Sequence, residues 1–232
     1  MRLTVREVAK ILNVSEKTVY HWIQQGSLPA QRVNDQYRLN RAELLEFATA
    51  RRIEVSPELF RDAESGEGPL PGFLEALTAG GIYYGVVGED KESALRAAVE
   101  AMALPVESDR ALLVQVLLAR EDLASTGVGD GVAIPHARSP IVLRVARPAI
   151  TLCFLKKAID FDAVDGKPVH CLFTLVSPTV KSHLHLLSRL AFALRDPAFK
   201  KAIDRRAPRE EILEAARRVE ERTAAAAPAV ER

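Results

Sequence analysis

Apolar residues recur at helical spacing in two short stretches near the amino terminus. One stretch predicts a helix from Val5 to about Leu12 with its N-cap at Thr4, and the other predicts a helix from Glu16 to about Gln25 with its N-cap at Ser15. Only the tight turn Asn13-Val14 separates them. Two short helices joined in this way predict a helix-turn-helix unit.

Alternating apolar and polar residues follow the second helix. The segment from Ala30 to Leu39 alternates around Asn34-Asp35, which predicts a β-hairpin with basic residues on its strands. Asn40 then caps a predicted third helix, from Arg41 to about Arg51, whose inner face carries Leu44, Leu45 and Phe47. Residues 1–52 are therefore predicted to form a small winged helix-turn-helix domain.

Proline, glycine and acidic residues dominate residues 53–72, which predicts a linker. Helix and strand patterns then alternate through residues 73–222 and predict an α/β domain. The predicted elements are a helix from Phe73 to about Gly80, a strand Ile82–Val87, a helix from Asp90, a helix Arg110–Arg120, strands Ile150–Leu155 and Val169–Val176, a helix from Ser182 and a helix Arg209–Arg222. The helix Arg110–Arg120 and the last two strands are apolar nearly throughout, so they are expected to be well buried. The alanine-rich tail, residues 223–232, is expected to be frayed or disordered.

Charge is unevenly distributed along the 232 residues, although the formal net charge is only +1. Residues 1–51 contain 8 Lys and Arg against 5 Asp and Glu, whereas residues 53–71 contain 1 against 5, so the connector is not expected to lie on DNA. Cys153 and Cys171 lie in apolar runs and are expected to be buried thiols. No run approaches the roughly 18 apolar residues of a membrane span, and the amino terminus lacks a secretory signal, so a cytoplasmic protein is expected.

The most distinctive stretch is Ser125-Thr126-Gly127-Val128-Gly129-Asp130-Gly131-Val132-Ala133-Ile134-Pro135-His136-Ala137-Arg138. Its three glycines within five positions permit positive φ and a close backbone approach to a ligand. The apolar run that follows predicts a short strand ended by Pro135, which places His136 where a sheet edge meets solvent. An imidazole there is suited to nucleophilic chemistry, although a lone histidine after an apolar run is also compatible with a structural role.

This motif closely resembles the active-site motif of the fructose/mannitol/nitrogen-type (type-2) enzyme IIA domain of the bacterial phosphotransferase system. It departs from the family motif only at Val128 and Val132, where the family has isoleucine. The resemblance spans roughly Phe73 to Arg222 and implies an α/β fold with a mixed β-sheet flanked by helices. It also implies that His136 accepts a phosphoryl group.

The same resemblance implies two further site residues. An Arg-Glu pair, here Arg120-Glu121, stands sixteen residues before the histidine in the family, and a guanidinium can hold two phosphoryl oxygens with parallel hydrogen bonds. Taken alone, an arginine at a helix end is also compatible with offsetting the helix dipole. His183 opens a segment that resembles the family's His-Leu-x-x-Leu-Ser-x-Leu-Ala helix, which implies that it lies beside His136. His185 has no counterpart there and is expected to be a surface or packing residue.

The amino-terminal unit resembles the MerR-like excisionase family of winged DNA-binding domains. The resemblance rests on the order of helix, turn, helix, Gly26-x-Leu28-Pro29, basic hairpin and leucine-containing helix. In such domains the second helix enters the major groove and the wing follows the phosphates. The implied DNA contacts are Lys17, Thr18, Tyr20 and His21 of the second helix and Arg32 and Arg38 of the wing. Small helix-turn-helix units also serve as protein-binding modules, and a DNA-binding one is expected to dimerise or to bind repeated sites.

Together the two resemblances imply a cytoplasmic transcription regulator that binds DNA and accepts a phosphoryl group on His136 from an HPr-type phosphocarrier protein. A homo-oligomer without a membrane span is expected. The sequence contains no metal-ligand cluster, Walker loop or dinucleotide fingerprint, so no cofactor or metal is expected. An alternative is a phosphocarrier of a sugar or nitrogen phosphotransferase system whose head is a protein-docking module. A third is a degenerate sensor that binds the carrier without being phosphorylated, which the intact set of site residues disfavours.

Overall fold

The amino-terminal domain, residues 2–53, combines a small antiparallel sheet with short helices. The computed structural model describes residues 2–33, 36–40, 43–44, 47–48, 51, 53, 70–105, 109–137 and 145–225. The helices and strands of this domain are β1 Arg2–Thr4, α1 Val5–Ile11, α2 Glu16–Gln24, β2 Gln31–Val33 and β3 Gln36–Asn40. The strands pair in the order β1-β3-β2.

Both helices of the predicted helix-turn-helix begin at their predicted N-caps. The backbone N–H of Glu7 donates to Thr4 Oγ1 at 3.2 Å, and that of Thr18 donates to Ser15 Oγ at 3.1 Å. The predicted hairpin is confirmed as β2 and β3, whereas strand β1 was not expected. Residues 43–44 and 47–48 of the predicted third helix are helical, and most of its other positions lie outside the described residues.

The carboxy-terminal domain, residues 70–225, is a mixed sheet with helices on both faces. Its helices and strands are α3 Phe73–Gly80, β4 Ile82–Val86, α4 Lys91–Ala101, α5 Arg110–Glu121, β5 Gly127–Gly129, β6 Val132–Ala133, β7 Ala149–Ile159, β8 Val169–Val176, α6 Val180–Arg195, α7 Pro197–Asp204 and α8 Arg209–Ala225. The strand order is β4-β7-β8-β6-β5. Strands β4 and β6 run parallel to their inner neighbours, and the other two pairs are antiparallel, so the predicted mixed sheet is confirmed.

The central strands divide the core into two layers. Because side chains alternate across a strand, Phe154 and Phe173 face one layer while Cys153 and Leu172 face the other. The first layer contains residues of α3, α6, α7 and α8, and it is continuous with the apolar core of the amino-terminal domain. The second layer contains residues of α4 and α5. Both cysteines are free and buried, as expected.

Helix α5 is less buried than its composition predicts. Leu113, Val114 and Leu117 pack inside, but Leu112 is 37% exposed. The expectation that this helix is well buried therefore holds for one of its faces only. The helix packs by one face against α4 and the sheet, and its opposite face lies at the surface.

The start of α3 is closed by the last helix of the chain. Gly72, at the N-cap, provides no side-chain hydrogen bond, and the Phe73 N–H instead donates to Glu220 Oε1 of α8 at 2.6 Å. A Cβ added at Gly72 would lie 2.9 Å from the same oxygen, so glycine suits this position. Helix α8 continues to Ala225, three residues into the segment expected to be frayed, because alanine favours helix and Thr223 Oγ1 bonds to the preceding turn. Residues 226–232 lie outside the described residues.

Most of the predicted acidic linker, at residues 54–69, lies outside the described part of the chain. None of the described helices is both long and apolar enough to span a bilayer.

Candidate active site

The glycine-containing motif folds into a tight hairpin, β5 and β6, packed against the segment before β8. Gly129 and Gly131 have φ of 92° and 75°, in the region that favours glycine. A Cβ at Gly127 would lie 2.8 Å from the Ala163 backbone, and one at Gly131 would lie 2.3 Å from the His170 ring. Here the glycines allow the hairpin to approach other parts of the protein closely.

His136 continues the line of β6 after a break at Pro135. Pro135 has no N–H, but its carbonyl accepts a hydrogen bond from the Leu175 N–H at 2.9 Å, so His136 stays in register beside β8. The side chain is only 1% exposed. The expectation of a solvent-facing sheet edge was therefore wrong, because β6 lies inside the sheet and residues of the amino-terminal domain line the cavity in front of His136.

The His136 ring is held in one tautomer. Its Nδ1 lies 2.7 Å from the Ile134 carbonyl oxygen. A carbonyl oxygen only accepts, so Nδ1 carries the proton and Nε2 keeps its lone pair. Burial lowers the pKa of His136 to about 4, and the nearby Arg120 guanidinium lowers it as well. The neutral, nucleophilic ring is thus favoured at neutral pH.

His183 stands beside His136, as the resemblance implied. It lies in the first turns of α6, which begins after the N-cap Thr179, and the two ring centroids are 5.2 Å apart. Both ring nitrogens of His183 are buried and have no hydrogen-bond partner among the described residues. Burial, followed by the neighbouring His136 and Arg120, lowers the pKa of His183 to about 3.

Arg120 lies in the last turn of α5 and brings a guanidinium into the same region. It is 6% exposed, and its Nη1 donates to the Ala124 carbonyl at 2.8 Å. This bond fixes the guanidinium at the loop that leads into the motif. Arg120 lowers the pKa of both histidines, which is the electrostatic effect of a cation close to each ring.

Glu121 supports the site although no role was predicted for it. Its buried carboxylate accepts hydrogen bonds from the Thr126 N–H at 3.0 and 3.1 Å and from Thr126 Oγ1 at 2.6 Å. Lys91, at the start of α4, lies 3.4 Å from the same carboxylate. These contacts tie the first residues of the motif to the end of α5. The adjacency of Glu121 to Arg120 was the available sequence signal.

Residues 75–218 match the family described as phosphoenolpyruvate-dependent sugar phosphotransferase system, EIIA 2. The chain belongs to this family. Residues 2–52 match the model of a helix-turn-helix domain. The carboxy-terminal domain is called the EIIA domain below, and the amino-terminal one the helix-turn-helix domain.

Curated and solved relatives agree with this assignment. A nitrogen regulatory protein of Pseudomonas aeruginosa is 38% identical over 143 residues, which are 60% of this chain and 90% of that protein. The crystal structure of nitrogen regulatory protein IIA-Ntr from Neisseria meningitidis is 31% identical with a TM-score of 0.53, and the match covers 62% of this chain and 97% of that one. The Escherichia coli complex of enzyme IIAMtl with phosphorylated IIBMtl, at 22% identity and a TM-score of 0.51 over 60% of this chain and 95% of that one, shares the fold.

A cavity of about 470 Å³ separates the EIIA site from the helix-turn-helix domain. Arg120 and His136 line it from the EIIA side, and Ala30, Glu43 and Phe47 line it from the other side. The two domains also share a hydrogen bond from Arg195 Nη2 to the Ile53 carbonyl at 3.2 Å. Among the described residues, no cluster of three or more His, Cys, Asp or Glu side chains could hold a metal ion.

Most predicted DNA-contacting residues lie at the surface of the helix-turn-helix domain. The exposed ones are Lys17, Tyr20, His21 and Arg32. Thr18 is different, because its side chain is half-buried and its Oγ1 lies 2.8 Å from Ser15 Oγ, within the cap of α2. Its hydroxyl is engaged in capping the helix.

The two wing arginines lie on opposite faces of the hairpin. Arg32 pairs with Tyr37 across β2 and β3, and Gln31 pairs with Arg38. Directly opposed residues share a face, and successive residues alternate, so Arg32 and Arg38 point apart. Arg32 shares the face of Tyr37, whose ring lies 6.0 Å from that of Tyr20 on α2. Arg32 is therefore the wing residue on the side of the second helix.

Proposed function

We propose that this protein is a regulator whose EIIA domain accepts a phosphoryl group on His136 from an HPr-type phosphocarrier, and whose helix-turn-helix domain binds DNA under the control of that modification. The observation that carries the phosphorylation half is the hydrogen bond from His136 Nδ1–H to the Ile134 carbonyl. It leaves Nε2 as the nucleophilic nitrogen, in a site that also contains Arg120 and His183.

The transfer step moves one phosphoryl group between two imidazoles. The Nε2 lone pair of His136 forms a bond to phosphorus while the N–P bond of the carrier's phosphohistidine breaks. The bonding electron pair stays on the carrier's ring nitrogen, and the Nδ1 proton of His136 stays on Nδ1. In such transfers the protein contributes mainly position and charge stabilisation.

Arg120 and His183 have separate parts in this step. The Arg120 guanidinium can hold two phosphoryl oxygens, and its burial strengthens the interaction. A neutral His183 offers one N–H donor to a phosphoryl oxygen, and its two nitrogens have no other hydrogen-bond partner among the described residues. The Glu121–Thr126 bonds keep the hairpin in place around the histidine.

The DNA half of the proposal is supported by the exposed, basic surface of the helix-turn-helix domain. Lys17, Tyr20 and His21 lie on α2, the element that enters the major groove in such domains, and Arg32 lies on the adjacent wing. One such unit contacts few base pairs, so the regulator is proposed to act as a homo-oligomer.

One experiment tests both halves. The purified chain and its His136→Ala variant are incubated with phosphorylated carrier, analysed by intact mass, and then assayed for binding to a randomised DNA library at fixed salt. We expect an acid-labile phosphoryl adduct on the wild type only, and DNA binding that changes with the adduct. Absence of an adduct on the wild type contradicts the phosphorylation half, and absence of DNA binding at any salt contradicts the other.

The position of the helix-turn-helix domain against the EIIA site favours a second candidate. Its turn after α2 and its helical residues Glu43 and Phe47 contribute to the cavity before His136, as expected of a protein-docking module. In that case the protein is a phosphocarrier that passes the group from His136 to an acceptor protein. An adduct together with no DNA binding would support this candidate.

A further inference from the structure

The helix-turn-helix domain covers the face of the EIIA domain that holds His136. Ala30, Glu43 and Phe47 line the same cavity as His136, which is 1% exposed. Phosphoryl transfer requires the donor nitrogen to reach phosphorus in line with the attacking nitrogen. The helix-turn-helix residues that line this cavity therefore restrict the approach of another protein's phosphohistidine to Nε2.

Among the described residues that line the cavity, one buried cation and one buried anion come from different domains. Arg120 of the EIIA domain is 6% exposed, and Glu43 of the helix-turn-helix domain is 8% exposed. Two exposed charges among the described residues, Asp162 and Arg51, also line the cavity. The Asp162 carboxylate lies 2.8 Å from Lys91 Nζ, and the Arg51 guanidinium lies 4.8 Å from the centre of the Phe47 ring. The buried charges are the less screened ones, so they dominate the electrostatics of the cavity.

We propose that the helix-turn-helix domain is a lid on the phosphorylation site. In the closed state the Glu43 carboxylate supplies the negative charge beside Arg120 that the phosphoryl group supplies after phosphorylation. This inference rests on the proposed phosphorylation of His136. A phosphoryl group adds about −1.5 to −2 charges next to the carboxylate, and the two anions repel each other in a largely buried cavity. Closure of the lid and phosphorylation of His136 therefore oppose one another, and each weakens the other by the same factor.

The lid leaves the proposed DNA-reading surface uncovered. Lys17, Tyr20, His21 and Arg32 are exposed while the domain is docked. Phosphorylation therefore changes how the helix-turn-helix domain is held rather than whether α2 is accessible. The signal would act on the orientation of the domain relative to the EIIA domain.

The first test compares the rates at which phosphorylated carrier modifies three full-length proteins: the wild type, Glu43→Gln and Glu16→Gln. Glu16 is exposed on α2 and does not line the cavity, so its variant is the matched control. We expect Glu43→Gln to be phosphorylated about fivefold faster or more, because a neutral amide weakens closure, while the control matches the wild type. Equal rates in all three would overturn the role of Glu43, and circular dichroism verifies that the variants are folded.

The second test uses only the wild type and therefore decides the case even if Glu43→Gln fails to fold. Amide hydrogen exchange is measured by mass spectrometry before and after phosphorylation, for peptides that include residues 27–31 and 123–128, on the two sides of the cavity. Faster exchange in both peptides after phosphorylation is expected. Unchanged exchange despite a full adduct would overturn the lid and leave the phosphorylation standing, whereas absence of any adduct would overturn the proposed function itself.

Discussion

The EIIA domain buries its candidate site residues, whereas the helix-turn-helix domain exposes most of its own. The buried set is Arg120, His136 and His183. The exposed set is Lys17, Tyr20, His21 and Arg32. A nucleophilic imidazole benefits from a dry site that keeps it neutral and strengthens its contacts, while recognition of a large polyanion needs accessible charge. The two domains therefore respond differently to substitution, pH and salt.

The largest effect is expected from a charge-preserving change in the buried set. Arg120→Lys retains the cation but loses the planar pair of donors that can grip two phosphoryl oxygens. We expect the rate of phosphoryl acceptance to fall by roughly 10²- to 10³-fold, measured by intact mass over time. Arg96→Lys, in an exposed pair with Glu92, is the control and should leave the rate unchanged. A fall below threefold would mean that Arg120 acts only as a distant charge.

The pH dependence of stability reports on the buried histidine His136. The folded pKa of His136 is lowered to about 4, whereas an unfolded histidine titrates near 6.5. The unfolded state therefore binds more protons than the folded state between these two pH values. The stability that a neutral His136 contributes is fully present above about pH 6.5 and is lost as the pH drops toward 4. His183 shifts in the same direction.

Replacement of His136 by glutamine should remove part of that dependence. We expect the loss of unfolding free energy between about pH 7 and pH 4.5 to be smaller by on the order of 2–3 kcal/mol in His136→Gln than in the wild type, measured by urea unfolding. The same pH profile for wild type and His136→Gln would contradict a buried, neutral His136.

The support under the site predicts an intermediate effect. Glu121→Gln removes the charge that three hydrogen bonds from Thr126 share, in a buried position. We expect the variant to lose about 1–3 kcal/mol of unfolding free energy, measured by the midpoint of urea unfolding. Glu92→Gln, in an exposed pair with Arg96, should change it by less than about 0.5 kcal/mol. Equal losses of unfolding free energy in the two variants would show that the buried Glu121 contacts add nothing to stability.

The smallest effect is expected on the exposed side, between the two wing arginines. Arg32 shares a face with Tyr37 toward α2, whereas Arg38 lies on the other face and bonds to Gln36 Oε1 at 3.1 Å. Arg32→Ala should weaken DNA binding about threefold to tenfold and lower the salt slope by about one, while Arg38→Ala should do less. Fluorescence anisotropy over a range of salt concentrations measures both. A larger effect of Arg38 would reverse the assignment of the DNA-facing side.

Local chemistry made much of the fold predictable from the sequence. The N-caps Thr4 and Ser15 depend on bonds between residues three apart, and both were found where the pattern placed them. The apolar runs within β7 and β8 predict central strands, because a strand covered on both faces buries nearly every residue of a short run. Strands β1 and β5 were not predicted, since each has only three residues and forms only by pairing with a neighbouring strand.

The burial of His136 could not be predicted in full, because the cavity in front of it is lined partly by a second domain. The motif identified His136, and the Ile134 carbonyl that sets its tautomer is only two positions away. The sequence contains no local sign, however, of the cavity that Glu43 helps to line. The opposition of Arg32 and Arg38 was hidden for a related reason. Strand alternation alone leaves open which face meets α2, and the pairing of β2 with β3 decides it.

The hydrogen bond from the Phe73 N–H to Glu220 holds the first helix of the EIIA domain against its last helix, so the described chain of the domain nearly closes on itself. The helix where the domain starts and the helix where it finishes meet at one corner, so a partner fused to either end would emerge from the same place. A ring of this kind can be reopened elsewhere, which makes the domain suited to circular permutation and to insertion into another host. A second domain attached before or after the EIIA domain would therefore emerge at the same corner, and only its order along the chain would differ.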